Sequence, residues 1–272
     1  MTAETIRPVI RVSVFAIIVF QVCGLFARSA LDLALVRSGT NRAVANDLSY
    51  LVVPPLLIFF LYPYLRQHRD TLVGLLRPAQ LSARLCCLSL LLGVLMRVTY
   101  MAILTVLMWA GFVRNDDPDA IAGPIIGFGC PPLLVLSLSL FVMSFLVPFV
   151  EEVINRGLLL HALLPRGVVT SVVVSAGLFA AMHQPGTYPG AFVSGLFFGV
   201  QMLNARTLWA PLLTHSAYNA TATISWDCTQ IIWNPPQEDA VLGAVTQVAA
   251  PLATLGVLVC CLLVSKKAIG AR

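Results

Sequence analysis

Glu151-Glu152-Val153-Ile154-Asn155-Arg156 lies inside an apolar run that extends from Pro132 to Leu164. Two carboxylates and a guanidinium are out of place there. The chain has twelve acidic residues, and the other ten read as lying outside the apolar segments. Ionisable side chains in membrane-length helices are costly, so such a cluster marks a functional site before it marks a structural ion pair. The run also decides the fold class. About 20 apolar residues suffice to cross a bilayer core as a helix, and this run exceeds that.

The rest of the chain agrees. It has 272 residues, 58% of them hydrophobic and 11% charged, with a mean hydropathy of +0.89, which excludes an ordinary soluble domain. Alternating strand-length segments, as in an outer-membrane barrel, do not occur. The expected fold is an all-α polytopic membrane bundle of about eight transmembrane helices. They are read at 9–27, 48–65, 85–113, 132–163, 168–186, 190–204, 207–226 and 243–264. Arg7 and Arg11 precede the first run as in a signal peptide, but no small-residue cleavage site follows, and it is kept as a helix. Residues 1–131 form the N-terminal helices and loops, 132–226 the motif-bearing core, and 227–272 the last loop, helix and tail, all in one structural domain.

The net charge of +5 is spread through loops, which argues for membrane lipid and against nucleic acid as the partner. With both termini on one side, that side receives Arg7, Arg11, Arg66, Arg69, Arg77, Arg84, Arg156, Arg166, Arg206, Lys266, Lys267 and Arg272. The other receives Arg28, Arg37, Arg42 and Arg114. The positive-inside rule therefore places both termini in the cytoplasm. The seven cysteines show no zinc spacing. Cys86-Cys87 and Cys260-Cys261 read as packing residues. Cys130 and Cys228 both fall near the non-cytoplasmic face; an oxidising compartment would allow a disulfide, but two separate thiols are the expectation.

Histidines follow the acidic cluster. His183 ends Phe179-Ala180-Ala181-Met182-His183, and His215 opens His215-Ser216-Ala217-Tyr218-Asn219. His161 reads as interfacial, without a role. At about 100° per residue Glu151 and Glu152 point to different faces. Arg156 stands four residues after Glu152, the favourable order for an acid–base pair, which leaves Glu151 available. Asn155 is placed to orient Glu151 by a hydrogen bond, and Phe179 to fix the His183 ring by packing. Depths agree as well. Glu151 lies about 18 Å and His183 about 22 Å from the Pro165-Arg166-Gly167 turn, while His215 and Asn219 lie about 12 and 18 Å from the Arg206 turn. All four can meet in one layer.

A buried glutamate suits a general base, and with His183 it would hold and deprotonate a water. His215 and Asn219 would donate to the oxyanion formed when that water attacks an amide carbonyl. Glu151, His183 and His215 also match a zinc ligand set; the residues require no cofactor, and a divalent metal remains open.

Glu-Glu-x-x-x-Arg, Phe-x-x-x-His and His-x-x-x-Asn, in this order on consecutive apolar helices, resemble the CPBP family of CAAX-protease and bacteriocin-processing intramembrane proteases, which includes the type II CAAX prenyl endopeptidases. The resemblance runs from about Pro148 to Ala222 and includes Arg156-Gly157 and Leu208-Trp209-Ala210-Pro211. It implies an eight-span helical fold and a peptidase acting on a membrane-associated or lipidated peptide. It also implies that Glu151 and His183 activate water, that His215 and Asn219 form the oxyanion hole, and that Glu152 and Arg156 support the site.

Cleavage from the cytoplasmic side is the expectation. A non-proteolytic scaffold or immunity protein of the same fold, or a proton-coupled transporter, are the alternatives. His-Glu-x-x-His, Gly-x-Gly-Asp and rhomboid-type serine motifs are absent, and Asn115-Asp116-Asp117-Pro118-Asp119 reads as a solvated turn. Arg97, inside the third span, is expected to face the site and balance Glu151, the alternative being that it snorkels to an interface.

Overall fold

The structure, a computed structural model, describes residues 12–109, 126–128, 130–183, 187–231 and 256. Within these the chain is helical, apart from one antiparallel pair of three-residue strands, β1 (Ile126–Phe128) and β2 (Thr229–Ile231), with Phe128 opposite Thr229. The Ser13 side chain caps α1 (Val14–Arg37), accepting from the Ala16 N–H at 3.3 Å. Gly39 adopts φ 90°, a conformation that suits glycine, to turn the chain into α2 (Arg42–Ser49). Tyr50–Val52 then forms a single 3₁₀ turn, and α3 (Val53–Gln67) starts on Pro54 and Pro55, where a missing N–H costs nothing. After the short α4 (Arg69–Leu75), α5 (Ala83–Trp109) crosses back.

The stretch that carries the acidic cluster is one long helical rod, Leu133–Arg166, interrupted twice. It comprises α6 (Leu133–Phe141), a π-helix (Val142–Leu146), α7 (Val147–Glu152), a second π-helix (Val153–Leu159) and α8 (Leu160–Leu163). The first interruption has a local cause. Pro148 has no N–H to offer the carbonyl four residues back, so the ladder changes register before it. Beyond the Gly167 turn come α9 (Val168–Ala181), α10 (Tyr188–Ala205) and α11 (Trp209–Cys228).

By length and composition, four helical stretches are fit to cross a membrane among the described residues. They are Val14–Arg37, Arg42–Gln67, Ala83–Met101 and Leu133–Arg166. These correspond to the first four expected spans, with α1 extending ten residues past residue 27. The fifth is the shorter apolar helix Val168–Ala181. The sixth and seventh are α10 and α11, diluted by polar residues. The eighth lies outside the described residues except at Gly256, as do the Asn115–Asp119 run and the terminal Arg and Lys residues. The outer surface is apolar, with Phe59 76% and Leu134 82% exposed, as expected of side chains that meet lipid. The protein is an integral membrane protein.

Two expectations are corrected. Asp32 and Asp47 fall within spanning stretches, in α1 and α2, so the acidic cluster is not alone there. Asp47 is buried and accepts a 2.5 Å hydrogen bond from Ser139 of α6, which offsets the cost of its burial. Cys130 is disulfide-bonded and not a separate thiol. The β1–β2 pairing ends with Phe128 opposite Thr229, which follows Cys228 in sequence; the side chain of Cys228, like Cys260 and Cys261, lies outside the described residues.

Between lipid-solvated helices apolar burial gives little drive for association, so close approach and polar contacts matter more. α5 meets α11 at Gly93, where a Cβ would collide with the Thr214 carbonyl oxygen and stand 2.8 Å from Ala217 Cβ. Beside it, the Gln201 amide of α10 donates to Thr214 at 2.8 Å and to Ser89 at 3.3 Å, joining three helices.

The two ends of the bundle can be told apart. One, the arginine-rich face, carries the Arg66–Arg84 connection and the turns at Gly167 and Arg206; there Leu208 N–H bonds the Leu75 carbonyl at 3.0 Å. The other, the Cys130 face, carries the Gly39 turn, the start of α6 and the strand pair.

Candidate active site

The second π-helix explains how the acidic cluster is held. In a π turn each N–H reaches back five residues, so the Leu160 N–H bonds the Asn155 carbonyl and leaves that of Arg156 to another donor. His161 Nδ1 supplies it, at 2.7 Å. Asn155 Nδ2 bonds the Glu151 carbonyl at 2.8 Å, and Ser175 of α9 donates to the Asn155 carbonyl at 3.0 Å. Two readings change here. His161 is buried, not interfacial, because its ring completes the backbone ladder. Asn155 holds the backbone of Glu151, not its carboxylate, and accepts a 3.4 Å hydrogen bond from Gln21 of α1.

Glu152 and Arg156 pair as their spacing predicts, with Arg156 Nε 3.3 Å from Glu152 Oε2 and both side chains essentially inaccessible. Arg156 also donates to the Gly195 carbonyl at 3.1 Å, and its guanidinium lies 4.5 Å from the Phe179 ring centre and 5.2 Å from that of Phe198. The carboxylate and the two rings offset the cost of burying this charge, while Nη1 has no hydrogen-bond partner among the described residues.

His215 joins the two glutamates. Its Nδ1 is 2.9 Å from Glu152 Oε1, and its Nε2 is 3.7 Å from Glu151 Oε2. The carboxylate of Glu152 accepts, so Nδ1–H is the donor to it, and Nε2 is turned to Glu151. Phe198 stacks on the His215 ring at 4.9 Å, and Phe179 meets it edge-on at 5.8 Å. Phe179 also packs against His183 at 4.7 Å, as its position one turn earlier predicts. The Phe179 carbonyl takes the Nδ1 proton of His183 at 2.9 Å, which leaves Nε2 of His183 as the free acceptor.

Asn219 is engaged elsewhere. Its Nδ2 donates to the Met143 carbonyl, in the first π-helix, at 2.8 Å. Arg97 is buried, with its guanidinium over the Tyr100 and Tyr218 rings at 5.6 and 5.8 Å, so it does not snorkel. The side chain that approaches the Glu151 carboxylate is His215, at 3.7 Å. Among the described residues no three histidine, cysteine or acidic side chains converge to hold a metal ion. Glu151, His183 and His215 therefore do not converge as a zinc set in this arrangement, although each histidine has Nδ1 held by another group and Nε2 left free, as a metal-ligating histidine does.

Glu151 is the accessible member of the cluster, with 27% of its side chain exposed. It opens on a groove of about 680 Å³, counted out to the mouth, between α1, the start of α3, the rod and the end of α9. The walls are apolar except for Gln21, Arg28, Tyr50, Glu151 and Asn155. Sequence reading missed Gln21, Arg28 and Tyr50. The only signal was a polar side chain in or next to an apolar run, which specifies neither neighbour nor direction. Phe198 and Gly195 carried no signal.

Every residue of this cluster from Glu151 to Asn219 falls within one matched segment. Residues 133–221 match the family model of Type II CAAX prenyl endopeptidase Rce1-like proteins. That segment, about a third of the chain, is what resembles the family. It is the family to which the order of the three motifs points, and it is a family of intramembrane proteases. No curated protein and no solved structure matches the chain.

Proposed function

We propose that the protein is an intramembrane endopeptidase in which Glu151 is the general base for water attack on a peptide bond. The observation that carries this reading is His215 held between the two glutamates, with Glu152 neutralised by Arg156 and Glu151 left facing a groove. The Rce1-like match over the same helices supports it. The substrate class is a membrane-associated peptide, and the name of the family makes a lipidated one the first to try.

In the proposed reaction a water bound at Glu151 gives up a proton to Oε2 while its oxygen bonds the carbonyl carbon. The carbonyl π pair moves onto oxygen as an oxyanion. His183 Nε2 orients the water. The donors assigned to the oxyanion are His215, fixed by Glu152 through Nδ1 and donating from Nε2 with both ring nitrogens protonated, and the second N–H of Asn219. The tetrahedral intermediate collapses, the C–N bond breaks, and the proton held by Glu151 passes to the leaving nitrogen, giving a carboxylic acid and an amine. No step passes through a metal.

Replacing Glu151 by Gln keeps shape and removes the base, with an expected loss of about 10²–10⁴-fold in cleavage. His215→Ala, which removes a donor, is expected to cost about 10²–10³-fold. Cleavage is read by mass spectrometry of peptides released from membranes containing equal amounts of each protein. Undiminished release by Glu151→Gln overturns the proposal.

A further inference from the structure

At one end of the groove at Glu151 the lining side chains are buried. The Gln21–Asn155 hydrogen bond, between two buried side chains, lies there together with Phe20 and Ile154. At the other end Leu25 is 39% exposed, and Arg28, Tyr50 and Met182 are partly exposed. The direction follows from the chain. From Gln21 to Arg28 α1 climbs about 10 Å towards the Gly39 turn, and from Asn155 back to Leu146 the rod climbs towards Pro132. Both walls carry the mouth towards the Cys130 face.

Two independent features say which side of the membrane that is. Cys130 is disulfide-bonded, and disulfides persist in oxidising compartments. The connections of the opposite face carry Arg66, Arg69, Arg77, Arg84, Arg166 and Arg206, against Arg37 and Arg42 at the Gly39 turn. The positive-inside rule puts the arginine-rich face in the cytoplasm. Arg28 lies at the mouth, its guanidinium 4.2 Å from the centre of the Tyr50 ring, and no carboxylate among the described residues is paired with it.

We infer that the groove takes a peptide presented from the non-cytoplasmic side, with an acidic group of that peptide seated on Arg28. This rests on Glu151 as the hydrolytic base, and it reverses the side expected from sequence. The stacked guanidinium is pre-oriented for a carboxylate, and the apolar walls weaken competition from water.

The side is tested without activity. Leu25→Cys and Ala79→Cys are each placed in the full chain and exposed, in intact cells, to a membrane-impermeant sulfonated maleimide, with the parent as baseline for Cys23, Cys86 and Cys87. Leu25→Cys is expected to label in intact cells, and Ala79→Cys only after permeabilisation. The opposite pattern overturns the inference whatever Glu151 does. The acidic preference is read with two decapeptide libraries, one with a fixed Glu and one with a fixed Gln. Wild type is expected to favour the Glu library by about ten-fold, and Arg28→Gln to abolish that preference. An unchanged preference in Arg28→Gln overturns the carboxylate assignment. So does an Arg28→Gln defect confined to binding of anionic phospholipid vesicles, which would give the mouth to a lipid headgroup. Absence of cleavage by wild type in both libraries counts against the hydrolytic reading, while the labelling still decides the side.

Discussion

At the scale of single residues the site is an exercise in placing charge where water is scarce. Glu152 has two partners, Arg156 and His215, so its charge is matched and its geometry fixed. Glu151 has one contact at 3.7 Å and a face open to the groove. The i,i+4 rule made that division legible from sequence, as it did the packing of Phe179 on His183. The acceptors of Asn155 and Asn219 were not legible, because both are carbonyls beside or within π-helices, and residue spacing does not report a change of ladder register. Arg156→Met gives the sharpest test of the ion pair. Removing one partner of a buried pair costs about 3–5 kcal/mol, since the other charge is left buried. Thermal unfolding in detergent should show that loss, and Arg156→Met combined with Glu152→Gln should recover part of it. A single variant as stable as wild type would contradict the assignment.

At the scale of elements, the rod is the part that organises the rest. Its two π-helices lie on either side of α7, and each has a carbonyl in or next to it held by an asparagine amide. That arrangement ties the base-bearing turn to α11 through Asn219 and to α1 through Asn155 and Gln21. The opposite wall depends on how closely α5 approaches α11. Gly93→Ala should force these helices apart, with an expected cost of about 1–3 kcal/mol or more. Because His215 lies on α11, cleavage should fall further than stability alone explains. Wild-type activity and melting temperature in Gly93→Ala would mean that the contact is not needed. Sequence could not supply this contact, since a glycine in an apolar helix carries no mark of the backbone it meets.

At the scale of the whole molecule, composition and run length were enough to give a helical membrane bundle, and the meeting of Glu151 and His215 was anticipated from depths counted along separate helices. The groove was not. Half of its lining comes from α1, Tyr50 and the start of α3, which have no motif, and its direction depends on how those helices run against the rod. The account as a whole stands on hydrolysis at Glu151. Quantitative mass spectrometry of membrane-released peptides, comparing wild type with Glu151→Gln at matched protein level and melting temperature, tests it most directly. The expected result is a set of cleavage products present with wild type and lost with Glu151→Gln. The same products at the same abundance in both would contradict it.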